Sequence, residues 1–178
     1  MRCGVPCWHM QPGTLLVSSP LLNDDYFEQS VVLICEYYPG TGALGYVVNK
    51  LHDRPLNHLQ QFRHAPALPL YQGGPVQTDM LYLLHRSPQH IGGGSMVVPG
   101  LYNGGSMEQA VRHLHAGQIL PRHLRCLLGY CGWDAGELEA EIAEGSWRVS
   151  DQPWQVVFDA IDIPTEQLWA HLWQSTSA

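Results

Sequence analysis

The chain has 178 residues, 45% of them hydrophobic, which is enough for one domain with a single sizeable core and too few for a well-founded division into two. Only 14% of the residues are charged and the net charge is -7, so repulsion from a phosphate backbone outweighs attraction unless the few arginines gather on one face, and autonomous nucleic-acid binding is disfavoured. The longest apolar runs, such as Val31 to Cys35, fall far short of the roughly twenty residues a membrane helix needs, and five cysteines without a regular pairing framework, behind a start lacking an apolar signal core, point to a reducing cytoplasm.

In chain order, residues 1–12 lack periodicity and end at Pro12-Gly13, so they read as a loosely held arm, with a single domain spanning residues 13–178. Thr14 to Ser18 reads as a strand, and Asn23-Asp24-Asp25 supplies caps for one helical turn through Tyr26 and Phe27. Val31 to Cys35 and Ala43 to Asn49 flank the turn chemistry of Pro39-Gly40-Thr41-Gly42, which predicts an antiparallel hairpin. Leu56, Leu59 and Phe62 behind Pro55 suggest a short amphipathic helix. Leu70 to Gln72, Leu81 to Leu84 and Ser95 to Val98 read as strands separated by Gly73-Gly74-Pro75 and Gly92-Gly93-Gly94.

Ser106 and Gln109 have the spacing of a reciprocal capping box, followed by Met107, Ala110, Val111 and Leu114 on one helix face, a stop at Gly117 and a block at Pro121. Leu124 to Tyr130 returns as strand. Asp134 and Glu137 repeat the capping pattern before a helix with Leu138 and Ile142 on one side and Gly145 at its end. Trp147 and Val149 alternate with polar neighbours, Trp154 to Phe158 reads as a last strand, and a final helix from Thr165 carries Leu168, Trp169, Leu172 and Trp173 on one stripe. This alternation defines an α+β domain.

Five blocks carry a resemblance: Gly13-Thr14-Leu15-Leu16-Val17-Ser18, Phe27-Glu28-Gln29-Ser30-Val31-Val32-Leu33, Gly42-Ala43-Leu44-Gly45-Tyr46-Val47-Val48-Asn49, Gln72-Gly73-Gly74-Pro75-Val76 and Leu128-Gly129-Tyr130-Cys131-Gly132-Trp133. In this order they resemble the bacterial YqgE/AlgH family, over roughly residues 13–158. The resemblance implies a bifurcated, largely antiparallel β-sheet curled into a pseudo-barrel with flanking helices. Members often carry the label of transcriptional regulator, although no helix-turn-helix is recognisable in this chain. Two positions depart from the family pattern: Gln29 stands where arginine is common, and Cys131 where alanine or serine is common, which argues against a thiol mechanism shared by the family.

Gly129 to Trp133, between a predicted strand and a predicted helix, is the best place to look for chemistry. A nucleophile elbow would put Cys131 at a helix N-terminus, with Asp159 or Asp162 and then His171 as partners. Trp133, however, stands where the elbow needs a small residue, and only 47 residues follow Cys131. Cys35, next to Glu36 at a strand end, is the other candidate reactive thiol; the neighbouring carboxylate would raise its pKa.

For metals, Cys3, Cys7 and His9 lack a nearby fourth ligand, His113 and His115 face different ways on a helix, and His85 and His90 are separated by a turn. Neither glycine loop continues into a phosphate-binding motif, and Pro75 removes an amide from the first. The expectation is therefore a chain without metal, cofactor or assigned catalytic residue, acting as a non-enzymatic binding or regulatory protein toward a protein or small-molecule partner. Its candidate binding residues are Asn49, Gly73, Gly74, Tyr130 and Trp133. The alternative is a small hydrolase or thiol-dependent enzyme using Cys131 or Cys35. Trp169 and Trp173 could pack internally or seal a dimer, which leaves the oligomeric state open.

Overall fold

Leu15, Val17, Val31, Leu33 and Cys35 are buried in one apolar cluster, and Leu16, Val32 and Ile34 in another. Side chains alternate between the faces of a strand, so two adjacent strands with both sets buried must lie in a sheet covered on both sides. That is why these segments read as continuous apolar runs. The computed structural model describes residues 9–160 and 162–176. Among them, nine strands form one sheet in the order β6-β7-β5-β8-β3-β2-β1-β9, with β4 beside β8 off this path.

The strands are β1 (Leu15–Ser18), β2 (Val31–Tyr38), β3 (Gly42–Val47), β4 (Leu70–Gln72), β5 (Val76–His85), β6 (Gly94–Val98), β7 (Leu101–Gly104), β8 (Leu124–Asp134) and β9 (Trp147–Val149). The helices are α1 (Met107–His115), α2 (Glu137–Ala143), α3 (Val156–Asp159) and α4 (Leu168–Ser175). Every pairing is antiparallel except β4 with β8. The sheet is bifurcated and open, with β6 and β9 at its edges, in keeping with the expected α+β fold.

The fork lies within β8. Its first half, Leu124 to Leu128, pairs with β5 on one side and β4 on the other, while Cys131 to Asp134 pairs with β3. Between the two halves the chain leaving β4 crosses the middle of the strand. Gly73 N–H donates to the Leu128 carbonyl at 2.7 Å, and the Gly73 carbonyl accepts from Val47 N–H at 2.8 Å. A β-carbon on Gly74 would lie 1.9 Å from the Tyr130 carbonyl carbon, and one on Gly129 would lie 2.3 Å from the Gly74 oxygen. Glycines are what let these two backbones touch.

The strand-turn-helix junction expected at Gly129 to Trp133 is corrected by this pairing. Trp133 pairs with Ala43 and Gly132 with Leu44, so the strand runs on to Asp134. Gly129, at φ 75°, introduces a kink and not a turn. Chain reversal waits for Gly136, whose φ of 81° precedes α2.

Three other expectations change. Trp154 to Phe158 is a helical turn leading into α3, because its buried residues are Trp154, Val157 and Phe158, the i, i+3, i+4 spacing of a helix. Leu56 to Phe62 forms two 3₁₀ turns interrupted by an extended Leu59 (φ -73°, ψ 132°), so the strict three-residue spacing was that of a 3₁₀ turn. Each capping box is half realised: Ser106 Oγ accepts from Gln109 N–H at 3.2 Å while Gln109 Oε1 turns to Gly92 N–H at 2.7 Å, and Glu137 Oε2 accepts from Asp134 N–H at 2.7 Å while Gly136 occupies the N-cap. A further strand, β7, occupies Leu101–Gly104, a segment to which the sequence reading assigned no element.

The final helix follows expectation. Leu168 and Leu172 are buried, and Trp169 and Trp173 stack with ring centres 6.0 Å apart against the same cluster. Trp169 Nε1 donates to the Ser18 carbonyl at 2.9 Å, so the tryptophan stripe packs inward on β1. Near the end of the expected arm Met10 packs on the cluster beneath α2, and at the first residue of the domain Gly13 N–H donates to the Ile34 carbonyl at 2.7 Å.

Candidate functional site

A concavity of about 350 Å³ opens where the end of β8 meets α2 and the turn after β1. Cys131, Gly132 and Trp133 line one side, Glu137, Glu141 and Glu144 another, and Leu22, Asp24, Phe27, Pro75, Ser146 and Trp147 complete it. Each wall has a local cause. Asp24 Oδ1 accepts from Tyr26 N–H at 2.8 Å and Phe27 N–H at 3.2 Å, closing the turn that presents Phe27. β8 alternation sends Cys131 and Trp133 to this face, and β9 adds Trp147.

Glu141 is the hinge of the arrangement. Its Oε2 accepts from both Trp133 Nε1 and Trp147 Nε1, each at 2.8 Å. The two indoles meet edge-to-face with centres 6.2 Å apart, and Phe27 meets Trp147 at 5.4 Å in the same manner. A single carboxylate thus fixes an aromatic floor.

Glu137 and Glu141 on α2 and Glu144 at its C-cap stand at i, i+4 and i+7, with Asp24 also on the rim. Like charges at such helix spacings cost a few tenths of a kcal/mol per pair. Among the described residues, no lysine or arginine lines the concavity and neither ion pair of the structure involves these four carboxylates. The arrangement suits a guanidinium or ammonium group, which gains from the carboxylates and from the aromatic faces together. Sequence reading named Trp133 and missed Phe27, Glu141, Glu144 and Trp147; the Glu137-x3-Glu141-x2-Glu144 spacing was the available signal.

The other expected site residues serve elsewhere. Asn49 bridges β2 and the segment before it: its Oδ1 accepts from Val31 N–H and its Nδ2 donates to the Gln29 carbonyl, both at 2.8 Å. Asn49→Ala is expected to cost about 2–4 kcal/mol in urea unfolding, because two backbone groups at the start of a core strand lose their partners. Gly73 and Gly74 make the strand crossing described above. Tyr130 points to the opposite face of β8 from Trp133 and packs against Tyr82 at 5.7 Å, so the fold does not bring Tyr130 and Trp133 together. The glycine-loop amides at Gly73 and Gly92 are taken by Leu128 and Gln109.

The thiols are buried. Cys131 is 1% exposed and donates to the Gly73 carbonyl at 3.5 Å. Burial pushes it from the ordinary 9.0 up to about 12, with Glu141 adding to the shift and the Val47 amide opposing it. Burial likewise raises Cys126 to about 12 and Cys35 strongly, the latter helped by Glu36. Between pH 9 and 12 the folded protein keeps protons that the unfolded chain releases, so stability must fall as pH rises through that window. Each thiol at 126 and 131 is expected to contribute a loss on the order of 1 kcal/mol between about pH 8 and 10, checked by urea unfolding at those two values.

Of the expected acid and base partners, Asp159 is held by Arg86 at 2.5 Å and His171 is exposed on α4. Cys3 and Cys7 lie outside the described residues. His113 contacts Gln118 and His90, whereas His115 Nε2 lies 2.9 Å from the His64 carbonyl. Among the described residues no three His, Cys, Asp or Glu side chains converge as metal ligands.

Known proteins share this framework. The solution structure of the AlgH protein from Pseudomonas aeruginosa is 29% identical, with a TM-score of 0.71 over 96% of this chain and 90% of that one. A Corynebacterium diphtheriae protein solved by crystallography is 19% identical with a TM-score of 0.72, a likeness of fold. A UPF0301 protein of Chlorobium luteolum is 38% identical over 164 residues, covering 89% of this chain and 82% of its own length. One from Bacteroides thetaiotaomicron is 34% identical over 141 residues, covering 79% and 71%. The AlgH-like family model matches residues 15–178, and with relatives this similar over most of their length the chain belongs to the AlgH-like family.

Proposed function

We propose that the chain is a non-enzymatic binding protein, one domain over residues 13–178, that takes up a lysine or arginine side chain of a partner protein in the concavity between Asp24, the end of β8 and α2. The observation that carries this reading is the aromatic floor of Trp133, Trp147 and Phe27 rimmed by Asp24, Glu137, Glu141 and Glu144. A fold that maintains like charges along one short helix beside ordered indoles has a use for a cation.

A regulatory role, if exerted by this surface, runs through a protein partner and not through DNA, whose phosphates the carboxylates would repel. The free, buried thiols Cys35, Cys126 and Cys131 suit work in a reducing cytoplasm. Cys131 lies against the same concavity, but its burial and raised pKa leave little thiolate at neutral pH, which weakens the thiol-enzyme alternative.

Tryptophan fluorescence titrations with an oligo-arginine peptide, spermidine, poly-glutamate and duplex DNA test the reading. Saturable response to the peptide is expected, with none to poly-glutamate or DNA. A response to spermidine stronger than to the peptide would transfer the site to small polyamines. Rapid iodoacetamide labelling of native Cys131 or Cys35 at neutral pH would restore the enzyme alternative.

A further inference from the structure

Away from the acidic concavity, the end of β5 and the turn entering β8 gather positive charge. Arg86, Arg122 and His123 line a second concavity of about 470 Å³ together with Ser87, Gln118 and Asp159. In a chain of net charge -7 with nine basic residues, two arginines and a histidine on one small concave surface are a marked local reversal.

The cluster is built into the fold. Arg86 N–H donates to the His123 carbonyl at 3.1 Å, which locks β5's exit to the 3₁₀ turn at Pro121–His123. The Arg86 guanidinium lies over Trp154 at 5.4 Å and Phe158 at 5.9 Å, so its plane is fixed. Asp159 holds one of its nitrogens at 2.5 Å and is, among the described residues, the only carboxylate lining the concavity. His123 is held below the ordinary imidazole value, first by burial and then by Arg122 and Arg86, with Asp159 only partly opposing. One carboxylate thus faces two guanidiniums and an imidazole, with neutral donors around them.

We propose that this concavity binds a small polar ligand through a phosphate group, with Arg122 and Arg86 as the charged donors, His123 at the rim and Asp159 as the internal competitor that the phosphate displaces from Arg86. Two planar guanidinium forks match the oxygen geometry of phosphate. Ser87 and Gln118 supply neutral hydrogen bonds to the rest of the ligand.

Calorimetric titration of the full chain with inorganic phosphate, with acetate as the carboxylate arm and the His123 ring resonances followed by NMR, tests the assignment. Saturable phosphate binding that moves the His123 resonances is expected. Arg122 is exposed, so Arg122→Ala should fold normally while binding phosphate about tenfold more weakly. Asp159→Asn should tighten binding several-fold by releasing Arg86. No saturable binding at millimolar phosphate, unchanged affinity in Arg122→Ala, weaker binding in Asp159→Asn, or equal binding of acetate would each overturn the proposal.

Discussion

Replacing Gly74 with alanine is expected to yield a chain that does not reach the native fold. The new β-carbon would sit 1.9 Å from the Tyr130 carbonyl carbon, 2.0 Å from its oxygen and 2.5 Å from the Cys131 nitrogen. All three are backbone atoms of a strand paired on both sides, so no side-chain rotation relieves the overlap. Separating the backbones would break the Gly73 hydrogen bonds to Leu128 and Val47 that form the fork of the sheet. The cost should exceed about 4 kcal/mol, the exceptional range for one substitution. Gly117→Ala is the control: a β-carbon there meets no atom within 4 Å, and the left-handed φ of 69° alone should cost about 1–2 kcal/mol. Soluble yield and far-ultraviolet circular dichroism of the two variants distinguish the cases, and a Gly74→Ala protein with unaltered thermal unfolding would refute the crossing.

The second large effect is expected at Glu141, where stability and binding separate. Glu141→Leu removes the acceptor shared by Trp133 and Trp147 and leaves two largely buried indole N–H groups unsatisfied, at about 2–4 kcal/mol together. Relief of repulsion with Glu137 and Glu144 returns only a few tenths of a kcal/mol. Glu141→Gln keeps an oxygen for the indoles and removes the charge. Its unfolding midpoint should stay close to that of the unaltered protein, whereas affinity for an oligo-arginine peptide should fall about tenfold. Urea unfolding and fluorescence titration of both variants read the two effects. A Gln variant that is destabilised as much as the Leu variant, with unaltered peptide affinity, would reduce Glu141 to a packing residue.

How far the sequence was legible depended on whether local chemistry or a distant partner decided each element. β1 and β2 were readable because burial on both faces leaves an apolar run. The Ser106 start and Gly117 stop of α1 were readable because caps act within one turn. The 154–158 segment misled because its Val-Val-Phe run has strand chemistry, while the residues that face the core follow helical spacing. β8 misled for another reason: Gly129 and Gly132 are turn formers, and only pairing with β3, far earlier in the chain, carries the strand past them.

The same distinction explains the site. Trp133 stood out within its own family block, but the concavity needs Phe27 from the turn after β1 and Trp147 from β9, which only the fold brings to it. Asn49 and Gly74, singled out as binding residues, hold backbone together in the fold, since a hydrogen-bonding amide or a glycine in a family block serves a scaffold as readily as a ligand.

The most direct test of the cationic-ligand reading is the set of tryptophan indole N–H resonances, followed by NMR while an oligo-arginine peptide is added. Trp133 and Trp147 donate to the carboxylate that a cation would engage, so their two resonances should move together and saturate, and should do so more weakly in Glu141→Gln. Trp154, Trp169 and Trp173 lie in a different cluster and should stay in place. Stationary resonances for Trp133 and Trp147, or movement confined to the other tryptophans, would contradict the assignment of this concavity as the binding site.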